Sequence, residues 1–212
     1  MAEKRITIIG FGPGGEDYVS PVARRKALEA DCVIGSPRLL KLLPDSGQEK
    51  IPYGADTQKA LEAIAERIPS RRVAVLVSGD PGISSLATPV IKKFGSGMCE
   101  VIPGVSSVQC AFAAVGLGWA DARVVTAHAS VPDSLLPSLM EEPKIAFLAG
   151  SDEAVRWIAG MAVKAGAGRR LFVCENLTLP EERVREFGPE ELMTYKAPSM
   201  TVVLLIRKEC FK

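Results

Sequence analysis

The sequence predicts an α/β protein made of two α/β domains, with a mainly parallel N-terminal sheet and a mixed C-terminal sheet. Strand-like and helix-like segments alternate through the first half of the 212-residue chain, a pattern typical of parallel sheets. Several of these strand-like segments end in clusters of glycine and proline. The alternation breaks after residue 116, and further strand-like segments follow. We therefore predict one domain over residues 1–116 and a second over residues 117–212, both long enough to bury a core.

Four strand-like segments occupy the predicted first domain, at residues 6–9, 32–35, 73–77 and 100–102. Helix signals alternate with them. Ser20 and Pro21 begin a helix that runs to about residue 30, because serine caps helices and proline fits their first turn. Asp56 and Thr57 begin another helix, which has apolar residues at helical spacing. Further helices are predicted over residues 84–94 and from residue 107 to about 115.

The predicted second domain contains strand-like segments at residues 124–127, 145–149, 171–174 and 201–207. A helix begins at Ser151 and ends at a glycine cluster over residues 166–168. The segment that joins the two domains has no long serine/glycine stretch and no long charged stretch. We therefore expect the two domains to pack closely.

Composition excludes several classes of protein. The chain has 26 basic and 25 acidic side chains, and 47% of its residues are hydrophobic. It is too apolar for a disordered segment, and it has no basic excess that indicates a nucleic-acid surface. Its apolar runs are of strand length, and residues 1–5 lead into a strand rather than a signal-peptide core. We expect a cytoplasmic globular protein with neither nucleic acid nor membrane as a partner.

Cysteine and histidine further limit the chemistry. The five cysteines are widely spaced and form no C-x-x-C pair, which predicts reduced, buried thiols and no metal held by the protein. His128 is the only histidine, so any Ser-His-Asp triad or Cys-His dyad has to include it. Its position at the end of a predicted strand makes it the candidate catalytic residue, either for binding a substrate carboxylate or for removing a proton.

Three glycine-rich loops form the most informative pattern in the sequence. They lie at residues 10–15, 78–82 and 103–107, and each follows a strand of the predicted parallel sheet. The carboxyl ends of such strands share one edge, where ligands bind, and glycine lets the backbone approach a ligand closely. The sequence therefore predicts a small-molecule site at this edge.

The first loop fits G-x-G-x-x-G through Gly10, Gly12 and Gly15, the pattern of dinucleotide sites. A nicotinamide-dependent oxidoreductase is accordingly one alternative. However, Pro13 removes an amide from the loop, the next two residues after Gly15 are acidic, and the helix begins only at residue 20. These features favour a nucleoside ligand that lacks a diphosphate.

Residues 8–14, 78–82 and 102–107 resemble, in order and spacing, the signature loops of the tetrapyrrole (corrin/porphyrin) methyltransferases. Within this family, residues 35–40, 106–109, 118–122 and 175–183 are similar to the cobalt-precorrin-7 C5-methyltransferase branch of cobalamin biosynthesis. The resemblance implies S-adenosyl-L-methionine as cofactor, in a cleft between the two domains, and methylation of cobalt-precorrin-7 or precorrin-7 at C5. Alternatives are another tetrapyrrole methylase, a diphthine synthase-like enzyme, or a regulator that binds a nucleotide without catalysis.

The same resemblance implies the cofactor-binding residues. In the first domain, Pro13 lies at the cleft, Gly79 and Asp80 contact methionine or ribose, and Ile83 packs nearby. Ser106 and Ser107 contact the methionine end. Residues of the second domain surround the adenosine: Ala149, Leu177, Pro198 and Met200.

A tetrapyrrole substrate also carries many carboxylates, so cationic side chains are expected around the site. The candidate arginines are Arg24, Arg25, Arg38, Arg123 and Arg183. We further expect a homodimer and possible association with a separate C15 methyltransferase/decarboxylase.

Overall fold

The computed structural model of the protein describes residues 5–54, 56–127 and 133–212. The chain divides into two compact units, Met1–Ser106 and Ser107–Lys212. This division falls before the helix at residues 107–114, whereas the sequence places a domain boundary after residue 116. The domain limits stay a prediction.

The first unit contains a five-stranded sheet in which all pairs of neighbouring strands are parallel. The strand order is β3-β2-β4-β1-β5. The strands are β1 (Ile6–Gly10), β2 (Cys32–Gly35), β3 (Glu49–Pro52), β4 (Val73–Val77) and β5 (Cys99–Ile102). The central strands β1, β2 and β4 are almost wholly buried, which agrees with their continuous apolar sequence.

Four helices accompany this sheet: α1 (Pro21–Leu28), α2 (Pro37–Leu40), α3 (Thr57–Arg67) and α4 (Ala87–Phe94). The hydroxyl oxygen of Ser20 accepts a hydrogen bond from Ala23 N, and the carboxylate of Asp56 accepts one from Lys59 N. Both predicted N-caps are thereby confirmed. Two apolar clusters form the core of the unit, one with α3 and α4 and the other with α1 and α2.

The second unit begins with α5 (Ser107–Ala114), which packs against the last strand of the chain, β10 (Thr201–Arg207). Its sheet has the order β6-β7-β10-β8-β9 and is mixed, because β6 and β7 are parallel and the other pairs are antiparallel. The remaining elements are β6 (Arg123–Thr126), α6 (Leu136–Glu141), β7 (Lys144–Leu148), α7 (Asp152–Ala165), β8 (Arg169–Glu175), β9 (Arg183–Phe187) and α8 (Pro189–Met193). The predicted fold class is confirmed.

The start of α4 differs from the sequence prediction. The helix was expected from residue 84 but begins at Ala87. Ser84 has a left-handed φ of 43°, and the hydroxyl of Ser85 donates to Pro81 O and accepts from Ala87 N. These local bonds replace a helical turn. Pro89 lies in the first turn of the helix, where its missing N–H costs little, so it neither kinks nor ends α4.

Within the described residues, no helix has both the length and the apolar character needed to cross a membrane.

Candidate cofactor site

The three glycine-rich loops of the first unit lie side by side. Strand β1 is flanked by β4 and β5, and all three run in the same direction, so their carboxyl ends meet at one edge of the sheet. Backbone hydrogen bonds join the first loop to the second, from Phe11 N to Val77 O (2.8 Å) and from Gly79 N to Gly12 O (2.9 Å). We call these loops, residues 10–15, 78–82 and 103–106, the glycine edge.

Gly10 and Gly104 are required by close backbone packing at this edge. A Cβ atom on Gly10 would lie 2.6 Å from Gly104 N, and a Cβ on Gly104 would lie 2.4 Å from Gly79 O. Neither position can accept a side chain unless the backbone of the loops moves. The glycines therefore bring the three loops together, and they also leave bare backbone at the place where α/β sheets bind ligands.

Asp80 connects the second loop to the third. Its Oδ1 accepts a hydrogen bond from Gly82 N at 2.8 Å, and its Oδ2 accepts one from Gly104 N at 3.2 Å. The residue is half-buried. Because each carboxylate oxygen has more than one acceptor position, Asp80 can hold the loops and still accept hydrogen bonds from a ligand.

The other predicted residues of the first unit lie on these loops or, in the case of Ile83, directly after one. Pro13 follows the Gly12–Gly79 bond and is buried, and Ile83 is half-buried, with its N–H donating to Asp80 O at 3.1 Å. Ser106 is buried at the end of the third loop. Ser107 is instead the first residue of α5 and belongs to the second unit.

The first loop does not open directly into a helix. A short 3₁₀ turn over Glu16–Tyr18 follows it, and α1 begins only at Pro21. The diphosphate position of a dinucleotide fingerprint needs helix amides at the glycines themselves. The nominal G-x-G-x-x-G pattern is therefore a tight turn in this protein, as its proline and acidic residues indicate.

Predicted residues of the second unit share a different edge. The end of β7, the end of β8 and the start of β10 are adjacent, as hydrogen bonds from Ala149 N to Thr201 O and from Asn176 N to Met200 O show, both at 3.0 Å. Ala149 and Leu177 are buried, whereas Pro198 and Met200 are half-buried. We call the residues 149, 175–177 and 198–201 the apolar edge.

Sequence reasoning missed the role of Glu175 in this edge. Its side chain is 1% exposed, Tyr195 donates its hydroxyl to Oε1 at 2.7 Å, and Arg183 Nε lies 3.2 Å from Oε2. Burial, together with the hydrogen bond to this carboxylate, raises the pKa of Tyr195. The available signal was an acidic residue that directly follows the apolar run of residues 171–174.

His128, the candidate catalytic residue, lies outside the described residues. Of the candidate arginines, Arg25 pairs with Glu29 and Arg183 with Glu175. Arg24 donates to the carbonyl oxygen of Leu42. Arg123 is exposed.

Arg38 is the candidate that contacts the glycine edge. Its Nη2 donates to Ser78 Oγ at 2.7 Å, and its Nη1 lies 3.3 Å from Gly14 O. The guanidinium therefore lies against both the first and the second loop.

The cysteines are free thiols, as predicted. Cys32, Cys99 and Cys174 are buried, and Cys110 and Cys210 are half-buried. Burial raises the pKa of Cys32 to about 11 and that of Cys174 to about 12. Thiols with such pKa values are poor nucleophiles at neutral pH, so these two residues pack in the core and do not act as catalytic nucleophiles.

Comparisons with known proteins agree with this geometry. A cobalt-precorrin-7 C(5)-methyltransferase of Salmonella typhimurium (strain LT2) is 32% identical over 180 residues, which cover 84% of this chain and 88% of that protein. A precorrin-6Y C(5,15)-methyltransferase (decarboxylating) of Sinorhizobium sp is 30% identical over 184 residues, covering 84% of this chain and 44% of that longer protein.

A similar fold occurs in the crystal structure of uroporphyrin-III C-methyl transferase from Thermus thermophilus, complexed with S-adenosyl homocysteine. The TM-score is 0.77 at 22% identity, over 95% of this chain and 92% of that one. The family model of the tetrapyrrole (corrin/porphyrin) methylases matches residues 5–192, which is most of the sequence. The glycine edge, the two sheets and this match together show that the chain belongs to the tetrapyrrole (corrin/porphyrin) methylase family.

Proposed function

We propose that the protein transfers a methyl group from S-adenosylmethionine to C5 of cobalt-precorrin-7. The observation that carries this proposal is the similarity to the Salmonella C(5)-methyltransferase along nearly the whole of both chains. The family is one of methylases, which supports the reaction class and argues against a nicotinamide-dependent oxidoreductase. The first loop also disfavours a dinucleotide as ligand, because helix α1 begins only at Pro21, several residues after the glycines.

The residues of the glycine edge fit a sulfonium nucleoside. Gly79 has no side chain that would occupy the site, and the carboxylate of Asp80 is available to ribose hydroxyls or to the ammonium group of methionine. Ile83 offers an apolar surface beside them. We propose that Pro13, Gly79, Asp80, Ile83, Ser106 and Ser107 contact the methionine and ribose parts of the cofactor.

The residues of the apolar edge fit a purine ring. Ala149 and Leu177 present buried aliphatic side chains, and Pro198 and Met200 are half-buried. A planar aromatic ring gains most of its binding free energy from such surfaces. The Tyr195–Glu175 bond ties the segment that carries Pro198 and Met200 to the end of β8. We propose that these four residues line the adenosine pocket.

The reaction needs positioning more than it needs covalent help from the protein. Bound S-adenosylmethionine supplies an electrophilic methyl group on sulfur. It would supply the methyl group for the new C5–CH₃ bond and keep the electron pair of the S–CH₃ bond on sulfur, so the chain has to hold it in place and to accept the proton that the macrocycle loses. Aligning the reactants at roughly 3–3.5 Å provides a large part of the rate acceleration. His128 remains the candidate for accepting that proton or binding a carboxylate.

The test is incubation of the protein with methyl-labelled S-adenosylmethionine and cobalt-precorrin-7, followed by NMR of the product. We expect one labelled methyl group at C5. A label at another carbon would assign the chain to a different tetrapyrrole methylase, and binding of the cofactor without any transfer would favour a regulatory role. Parallel assays with metal-free precorrin-7 identify the preferred form of the substrate.

Three finer expectations stay predictions. A homodimer is tested by light scattering after size-exclusion chromatography, and a cytoplasmic location by cell fractionation. The longer Sinorhizobium relative has both C5 and C15 methylation in its name, which supports association of this chain with a separate C15 enzyme. Joint elution of the two purified proteins checks that association.

A further inference from the structure

Arg38 is a half-buried cation, and among the described residues no carboxylate oxygen lies within 4 Å of its guanidinium nitrogens. In the described part of the chain, its hydrogen bonds go to two neutral acceptors, Gly14 O and Ser78 Oγ. A guanidinium has five N–H donors, so donors remain for a further partner. Burial lowers the pKa of this guanidinium, which nevertheless stays charged. A cation that is partly withdrawn from water in this way is stabilised by an anionic partner.

The surroundings of Arg38 differ from those of the arginines that support the fold. Arg67 contacts Glu49, Arg72 contacts Asp31 and Arg170 contacts Glu186, so each of these has a carboxylate within 4 Å. Arg38 instead lies on the glycine edge, against the loops that we propose hold the cofactor. A guanidinium at this place can contact a ligand that these loops bind.

A cavity of about 510 Å³ lies beside Ser78. It is within the size range of small-molecule sites. Ser78 accepts from Arg38 and keeps its own hydroxyl proton for donation. Three of its lining residues are Gly54, Val77 and Leu86, and the other six carry hydroxyl groups: Tyr53, Thr57, Ser78, Ser84, Ser85 and Thr88. Such a surface suits a short polar side chain of a ligand, and it has no carboxylate among its lining residues.

We propose that Arg38 and Ser78 form a carboxylate-binding subsite, with the hydroxyl-lined cavity beside Ser78 accommodating the chain that carries the carboxylate. This inference rests on the proposed function, because an acetate or propionate side chain of the tetrapyrrole is the first source of such a group. The methionine end of the cofactor is the second source. Charge-assisted hydrogen bonds from a planar guanidinium are the strongest that a carboxylate receives from a protein.

Calorimetry on Arg38→Gln, Arg38→Lys and wild type tests the proposal with four probes. Two are a corrin with free acetate and propionate side chains and the same corrin with every carboxylate methyl-esterified. The other two are S-adenosylhomocysteine and 5′-methylthioadenosine, which lacks the carboxylate. Arg207→Gln is the matched control, since Arg207 is also half-buried, donates to backbone carbonyls and is not a candidate for binding the substrate.

If the substrate supplies the carboxylate, Arg38→Gln lowers the affinity for the free-acid corrin about tenfold to a hundredfold and leaves the affinity for the ester unchanged. Arg38→Lys lowers the affinity for the free-acid corrin by less. If the cofactor supplies it, the same loss appears with S-adenosylhomocysteine and not with 5′-methylthioadenosine. Equal affinities for all four probes in wild type and variants, or equal losses for acid and ester, overturn the proposal.

An Arg38 variant whose loops are disturbed is recognised by a lowered midpoint of unfolding. In that case Ser78→Ala, which keeps the cation and removes the hydroxyl, is compared with wild type on the same four probes, and a smaller loss of affinity is expected. The readout is binding rather than methylation. A wild-type protein that binds these probes but does not methylate C5 therefore refutes the proposed function without deciding the role of Arg38.

Discussion

Gly10 and Gly104 lie in direct backbone contact, although they are 94 positions apart in the sequence, and a Cβ on either one would overlap the backbone of the other. This contact brings the ends of β1 and β5 together, with Gly79 O packed against both glycines. The edge on which we place the cofactor therefore depends on the absence of two side chains as much as on the presence of Asp80.

Gly104→Ala is expected to destabilise the protein by about 1–3 kcal/mol and to weaken binding of S-adenosylhomocysteine, because the added methyl group forces the third loop away from Gly79. Chemical denaturation and calorimetry measure the two effects. Gly97→Ala is the control, since a Cβ at Gly97 meets open space. Equal stability of both variants would contradict the close contact.

Asp80→Ala is expected to lower the affinity for S-adenosylhomocysteine roughly tenfold or more, because it removes the carboxylate that accepts from Gly82 N and Gly104 N. Asp80→Asn keeps an oxygen acceptor and should lose less. Asp45→Ala changes an exposed aspartate and serves as the control. Unchanged affinity in the alanine variant would remove Asp80 from the proposed site.

Tyr195→Phe is expected to cost about 1–3 kcal/mol of stability, because it leaves one oxygen of the buried Glu175 carboxylate without its hydrogen bond. We also expect weaker binding of S-adenosylhomocysteine, since Tyr195 holds the segment that leads to Pro198 and Met200. Urea denaturation and calorimetry measure these effects. Tyr18→Phe, at a residue 44% exposed, should change stability by less than about 0.5 kcal/mol. A Tyr195 variant as stable as this control would show that the bond contributes little.

Cys32 and Cys174 are expected to react with iodoacetamide at pH 8 at least about a hundredfold more slowly than they do in the unfolded chain. Burial raises their pKa values to about 11 and about 12, so the thiolate is scarce at this pH and access is blocked as well. Peptide mass spectrometry with and without denaturant gives both rates for each cysteine. Rapid modification of Cys174 in the folded protein would be inconsistent with a buried thiol.

Glu49→Gln is expected to make stability less sensitive to acid. Arg67 is the main cause of the lowered pKa of Glu49, with Arg71 contributing, so the folded value lies below the ordinary 4.5. A lowered folded pKa stabilises the protein above the unfolded value, and this contribution is lost as the pH falls through the folded pKa. Denaturation at pH 7 and at stepwise lower pH compares wild type with Glu49→Gln. Glu62→Gln, which changes an exposed glutamate, should follow wild type, and equal pH slopes for all three would refute the role of Glu49.

Two of the four edge strands, β3 and β9, were not predicted from the sequence pattern, whereas the edge strands β5 and β6 were. The sequence gives no prediction for β3 or β9, and both lie at sheet edges with mostly exposed or half-buried side chains. Such strands lack the apolar run that identifies a buried strand. Central strands behave in the opposite way: Val73–Val77 and Thr201–Arg207 have the predicted limits because nearly every residue in them is buried.

The sequence by itself determined the features that depend on neighbouring residues: the buried strands, the helix starts at Ser20, Asp56 and Ser151, and the glycine loops that end three strands. Tertiary structure alone decided which of these loops adjoin, because strand order places β1 between β4 and β5. It also decided that Asp80 reaches an amide 24 residues away, and that Arg38, rather than Arg24 or Arg25, contacts the glycine edge. Contacts of this kind are made by backbone packing between residues far apart in the chain, which local propensity and spacing do not encode.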